Sequence, residues 1–381
     1  MPTQSRPSSF RIWSLAVACF VAISSCESRS GPAAREAGSD SSSLSASSAQ
    51  EAGAASQPVG LAALSAADVQ RTELWLALQG SGRVTAFDAS SGAVLHEATV
   101  GKKPAYVKVS PDGKWVAITD PPTATATVLD AGTGQVLRTL QTGKGPKGVN
   151  WSPDSKEIWV VNESAEPGTV WVYRAPGFER VAEVPVGRAP HNVVISEDGA
   201  RAYITNTGSA NVTVVDARSH QPVDSIPVGG AAHNLTLSAD GKTLYVTLTD
   251  KSQLALVDLA QRRVASTIPL VVGHHVPAAD GAGNLVVGGF GSGKASVIHL
   301  DPQGRVASND TVALAPGAHG AAFGPGDVAY VTDLADFVAV IDPHTARLER
   351  KIPAPGAPFT VSVRVVPKSG APRGPSSRAA S

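Results

Sequence analysis

From Glu73 onward the chain reads as short runs of alternating apolar and polar residues, such as "HNVVISEDG", "RAYITN", "VTVVDARS" and "PVDSIPVG". Alternation of period two predicts half-buried strands, and the Gly, Asp, Asn and Pro between the runs predict the turns that join them. No stretch sustains an i, i+3, i+4 apolar stripe over ten residues, so a helical solenoid is disfavoured. The runs also recur in groups of four. Segments opening at Gly101, Gly143, Gly187, Gly229, Gly273, Gly317 and Gly356 are spaced by 42, 44, 42, 44, 44 and 39 residues. A second marker, Trp75, Ala117, Trp159, Tyr203, Tyr245, Val286 and Tyr330, advances in step with the first. A third, at the end of the following strand, is Asp88, Asp130, Arg174, Asp216, Asp258, Asp301 and Asp342.

Four strands in a repeat of about 42 residues predict one blade of a β-propeller. The ends complete the count. Glu73 to Val100 offers three strands without a first, and Ala357 to Val366 offers a first strand without the other three. Together they make one blade, which predicts an all-β, seven-bladed β-propeller of four-stranded antiparallel blades with no open sheet edge. The motifs "YITNTGSANVTVVD" and "YVTLTDKSQLALVD", with "SPDGK" upstream, resemble the YVTN family of bacterial seven-bladed propellers. The resemblance covers roughly residues 72–366 and implies the fold. It leaves the function open, because that family includes surface-layer-like proteins, periplasmic binding proteins and domains attached to enzymes. Blade six, "NLVVGGFGSGKASVIHLD", departs most from the pattern, so a longer or more irregular hairpin is expected there.

Outside the repeats the pattern changes. Residues 1–25 carry Arg6 and Arg11, then the apolar run "IWSLAVACFVAISS", which is the layout of an export signal. It ends in Ile23-Ser24-Ser25-Cys26, which resembles the lipobox of bacterial lipoproteins and implies lipidation of Cys26 after cleavage before it. Residues 26–58 then form a Ser/Ala/Gly-rich tether, residues 59–366 the propeller, and residues 367–381 a polar tail. Cys19 leaves with the signal, so the mature chain has no cysteine pair for a disulfide. The anchoring implied is to a membrane through several acyl chains, with the periplasmic face of the outer membrane favoured because Glu27 follows the cysteine.

Composition narrows the partners. Lys+Arg 32 balances Asp+Glu 32, so no global field steers the protein to nucleic acid. The chemistry-bearing residues concentrate just after the repeat glycines, where the innermost strands begin. Four positions after each glycine stand Ala105, Lys147, His191, His233 and Pro277, with His274 and His275 just before that proline and His319 two positions after Gly317. Five of nine histidines fall in these windows. One reading is a metal site in which His191, His233, His275 and His319 hold copper or zinc at about 2.0–2.1 Å. Another is that His191-Asn192 and His233-Asn234 cap strand starts and hydrogen-bond across a water-filled channel. The third is a small polar ligand held by His191, Asn192, His233, Asn234 and Lys147. His96, His220, His299 and His344 read as exposed. "GGFGSGKA" has the spacing of a P-loop, but Ala295 lacks the hydroxyl a Mg²⁺ ion needs, so it reads as a turn. Asp112 and Asp154 of the "SPD" motifs read as turn caps, and Asn162 and Asn206 as strand ties. The favoured function is a lipid-anchored binding or scaffold module for an envelope protein or small ligand, and the alternative is a metal enzyme or lactone hydrolase.

Overall fold

The computed structural model describes residues 66–164 and 167–369. The export signal, Cys26, the tether and most of the tail lie outside them. Among the described residues are seven four-stranded antiparallel sheets. Six are consecutive in sequence, as in β12 (Pro190–Ile195), β13 (Arg201–Asn206), β14 (Asn211–Asp216) and β15 (Gln221–Pro227). The seventh is composite: β28 (Pro358–Pro367) pairs antiparallel with β1 (Val69–Leu78), followed by β2 (Arg83–Asp88) and β3 (Val94–Thr99). The ring therefore closes by hydrogen bonds between the two ends of the repeat region, as the incomplete terminal repeats predict.

Alternation explains the packing. Second and third strands are buried on both faces because blades lie against each other, whereas fourth strands such as Val136–Gln141 are mostly exposed. Trp75 and Trp159 are fully buried between blades. First strands contact first strands of neighbouring blades around the whole ring, from β28 and β4 (Val107–Val109) through β8 (Pro146–Trp151), β12, β16 (Ala232–Leu237) and β20 (His274–Ala279) to β24 (Ala318–Gly324). These seven strands wall the central channel.

The repeat glycine has a steric cause. A Cβ on Gly101 would stand 2.1 Å from Asp120 Oδ2, and one on Gly187 would stand 2.6 Å from Asn206 Cγ. Asp120 accepts the backbone N–H groups of Lys102 and Lys103, so the side chain that ends the second strand anchors the loop into the first. Asn162 and Asn206 occupy the same place and bond Thr169 and Thr213, acting as the strand ties expected of them. The "SPD" aspartates cap their own turns, with Ser110 Oγ donating to Asp112 and Ser152 Oγ to Asp154. "GGFGSGKA" is a hairpin turn between β21 (Asn284–Gly289) and β22 (Lys294–Leu300). That hairpin is not longer than its counterparts. Gly289 pairs Lys294 across a four-residue loop, as Asn206 pairs Asn211, so substitution of Tyr and Thr by small residues changes the packing and leaves the register intact.

The threonine of the repeat motif does more than fill a strand. Thr205 Oγ1 accepts the N–H of Asn192 in its own blade and donates at 2.6 Å to the carbonyl of His233 in the next. Thr119 joins Tyr106 N to Lys147 O, and Thr332 joins Gly320 N to Phe359 O, in the same manner. These hydroxyls set the height of each first strand against its neighbour.

Candidate functional site: a histidine arc at the channel mouth

Register resolves an irregularity in the sequence. Pro146, Pro190, Ala232, His274 and Ala318 each pair with the last residue of their second strand, and each is followed by a bulge. The residue after each is Lys147, His191, His233, His275 and His319. Val149, Val193, Leu235, Pro277 and Ala321 lie two residues deeper and pair again. Ala105 and Phe359 hold the equivalent places, two residues before Val107 and Val361. Counted from the repeat glycine to that place, the loops before β20 and β24 are two residues shorter than those before β4, β8, β12 and β16, and the loop before β28 is one shorter. His275, not Pro277, is therefore the counterpart of His191.

Seven blades thus contribute Ala105, Lys147, His191, His233, His275, His319 and Phe359 to one ring. Its aromatic members form a continuous arc. His191 stacks on His233 with centroids 3.6 Å apart, His233 meets His275 edge-on at 5.3 Å, His275 stacks on His319 at 4.1 Å, and His319 stacks on Phe359 at 3.6 Å. Phe290, exposed in the β21–β22 turn, stands edge-on to His275 at 5.7 Å. Side-by-side stacking keeps the in-plane nitrogen lone pairs roughly parallel, whereas a metal ion needs them to converge. Among the described residues no group of three or more His, Cys, Asp or Glu has the arrangement of a metal site.

One residue deeper lies a second ring: Tyr106, Gly148, Asn192, Asn234, Val276, Gly320 and Thr360. Here side chains meet across the channel, as one of the sequence readings expected. The Tyr106 ring crosses from β4 towards β16, with its hydroxyl 3.0 Å from Asn234 Oδ1 and 2.8 Å from His191 Nε2. Asn192 Nδ2 donates to the same Asn234 oxygen at 3.0 Å. Gly148 leaves the room: a Cβ there would stand 2.3 Å from Asn192 Oδ1.

The hydrogen bonds assign protons. His191 Nδ1 is 2.8 Å from Glu163 Oε1, and Lys147 Nζ is 3.4 Å from Glu163 Oε2. Burial lowers the His191 pKa, and the Glu163 hydrogen bond offsets this only in part, so the imidazole is neutral with its proton on Nδ1. Burial alone would raise Glu163, but the bonds and charges of His191 and Lys147 hold its carboxyl below the usual range. With His191 neutral, that charge rests on the Nδ1–H bond and on Lys147. The one hydrogen of the Tyr106 hydroxyl then faces two acceptors, Asn234 Oδ1 and His191 Nε2; protonation of His191 would leave it to Asn234 alone. Burial raises the Tyr106 pKa, so the phenol stays neutral. Asn234 Nδ2 donates to His233 Nδ1 at 2.8 Å, which leaves the His233 proton on Nε2. Burial, with three neighbouring imidazoles, pushes the His233 pKa far down. His319 Nδ1 donates to Phe359 O at 3.0 Å, so its Nε2 carries a lone pair, and that buried atom has no hydrogen-bond partner among the described residues. His319 too is held well below the ordinary value by burial.

The arc therefore presents three imidazoles kept uncharged by burial, those of His191, His233 and His319, between a Lys–Glu pair and an aromatic lip. It unites Lys147, Asn192, Asn234 and all four histidines named from the sequence. Sequence reasoning missed Tyr106, Glu163 and Phe359. Phe359 was findable by its offset from Gly356, but Glu163 comes from a loop outside the repeat pattern. The four histidines outside the channel windows are mostly not exposed. His96 lies over Trp75, His220 bonds Glu157 at 3.0 Å, and His299 bonds Asn284 at 2.6 Å, leaving only His344 exposed among them.

Seven four-stranded blades, a ring closed through both ends of the repeats and a threonine-tied inner tier define a seven-bladed β-propeller. The sequence model of the YNCE-like beta-propeller family matches residues 48–221, which is what the first half of the ring is similar to. Among curated proteins none matches it. Similar solved structures include a functionally unknown protein from Desulfotomaculum acetoxidans DSM 771, at 13% identity and TM-score 0.67 over 76% of this chain and 98% of that one. Hydrazine synthase of Kuenenia stuttgartiensis is similar at 20% identity and TM-score 0.60, over 70% of this chain and 96% of the other. The dihydro-heme d1 dehydrogenase NirN is similar at 17% identity and TM-score 0.57, over 74% of this chain and 64% of the other. At these identities the likeness is one of fold alone.

Proposed function

We propose that this propeller is a binding module of the cell envelope, lipid-anchored at Cys26, which holds a small ligand on the histidine arc and performs no chemistry on it. The observation that carries this reading is the in-register run of Lys147, His191, His233, His275 and His319, with a buried acceptor at His319 Nε2 that has no hydrogen-bond partner among the described residues. The fold itself does not require imidazoles there, because Ala105 fills the same position in blade two. An unpaired buried acceptor costs about 1–3 kcal/mol, which a ligand donor would recover. His233 Nε2–H supplies a donor nearby, and Phe290 and Phe359 flank the opening with apolar surface. These groups fit a planar, polar and uncharged ligand better than an ion.

Full-length protein, purified in detergent without a metal-binding tag, tests this. Native mass spectrometry is expected to find a small organic molecule that co-purifies and is lost in His319→Ala. Stoichiometric copper or zinc lost in His191→Ala would instead support the metal enzyme, and with it the lactone hydrolase class, and would overturn the proposal.

A further inference from the structure

The innermost strands carry a third feature, below the arc and separate from it. Tyr106, just before β4 and still bonded to the second strand through its carbonyl, is two residues from Lys108, so the two lie on the same side of the chain; the same holds for Asn234 and Thr236 on β16. Tyr106 already reaches across the channel to Asn234 at 3.0 Å. Lys108 and Thr236 are the same two strands' next pair, about 6.6 Å deeper at about 3.3 Å per residue. A lysine side chain has about the reach of a tyrosine, which brings its ammonium towards Thr236 on the far wall.

The tier at this depth is Lys108, Asn150, Val194, Thr236, Ala278, Ala322 and Ser362, and it contains no acid. Lys108 is solvent-exposed although it stands on an innermost strand between buried Val107 and Val109. With Tyr106 spanning the channel on the histidine side, water reaches it from the opposite mouth. Among the described residues Lys108 makes no salt bridge, and Thr236 makes no side-chain hydrogen bond. Lys108 stands on one of the seven innermost strands that wall the channel. That enclosure lowers its pKa, with no neighbouring charge to offset the effect. A lone cation in such a setting calls for a counterion.

We infer that the channel beyond Tyr106 is an anion-binding well in which Lys108, with the Thr236 hydroxyl opposite and the Asn150 amide beside it, holds a small oxyanion of the carboxylate or phosphate class. It is independent of the histidine arc, so either site can fail without the other. The ammonium form binds, and a bound anion raises the lysine pKa, so affinity falls as pH rises through that pKa.

The test is calorimetric titration of the full-length protein with inorganic phosphate and, separately, with acetate. Saturable binding is expected for at least one of them, weakened at least tenfold in Lys108→Met, retained in Lys108→Arg and unchanged in Lys242→Met, a lysine of an exposed turn. Affinity for the bound anion is expected to fall as pH rises from neutral towards the usual lysine range, because burial holds the Lys108 ammonium below that range. Absence of saturable binding with both anions up to tens of millimolar, binding undiminished in Lys108→Met, or affinity constant across that pH range would overturn the proposal.

Discussion

At the scale of residues, one position recurs with different chemistry and exposes what each choice costs. The second strand ends in Asp120, Asn162, Asn206 or Asp333, each tucked beneath a repeat glycine. Asp120 is satisfied by two backbone N–H groups and Thr123. Asp333 is fully buried, and its Oδ2 has no hydrogen-bond partner among the described residues. Burial raises its pKa, and nearby backbone N–H groups offset this only in part. A carboxyl whose folded pKa exceeds its unfolded value binds more protons in the folded state, so it costs stability as pH rises through that folded value. Blades three and four already use asparagine here. Asp333→Asn is accordingly expected to stabilise the protein by about 1 kcal/mol at pH 8, with the gain shrinking towards pH 4. Thermal melts of both proteins across that range check it, and equal midpoints at pH 8 would refute it.

Elements set the geometry that single residues exploit. The bulge at the start of each first strand turns one residue towards the mouth and the next into the channel, which is how His191 joins the arc while Asn192 meets Tyr106. Closure between β1 and β28 depends on a buried ion pair. Glu73, fully buried on β1, lies 2.9 Å from Arg364 on β28, and Arg364 also donates to the carbonyls of Gly113 and Ala131 in the next blade. Arg71 adds a second contact to Glu73 at 2.6 Å. Arg364→Ala would leave Glu73 with Arg71 and the Trp75 indole N–H, and lose both carbonyl bonds. The expected cost is about 3 kcal/mol, the low end for breaking a buried pair because Arg71 remains. Urea unfolding should show a lower midpoint with a similar slope; an unchanged midpoint would mean that main-chain pairing alone closes the ring.

For the whole molecule, the ring brings together residues far apart in sequence, such as Ala105 and Thr360, 255 positions apart, whose carbonyl and hydroxyl are 2.6 Å apart. This explains why the site escapes any short motif: its members come one or two per blade and meet only when the ring is closed. The anchoring expectation stands apart from the ring, at Cys26. Cells fed a fatty-acid analogue are expected to label the wild-type chain and not Cys26→Ser; continued incorporation into the variant would remove the lipoprotein assignment.

Much of the fold was legible because strand alternation and turn residues are local, and a period of about 42 residues repeats them often enough to be counted. The complementary terminal repeats announced ring closure for the same reason. Chain spacing also marked which histidines belong to the channel. It could not reveal that loops of unequal length bring His275 and His319 into register with His191 and His233, because register is decided by hydrogen bonding to the second strand rather than by distance from a glycine. Nor could it reveal that the imidazoles stack instead of converging, that Tyr106 spans the channel, or that Glu163 fixes the His191 proton. Those depend on the closeness of neighbouring blades, and only tertiary packing sets that closeness.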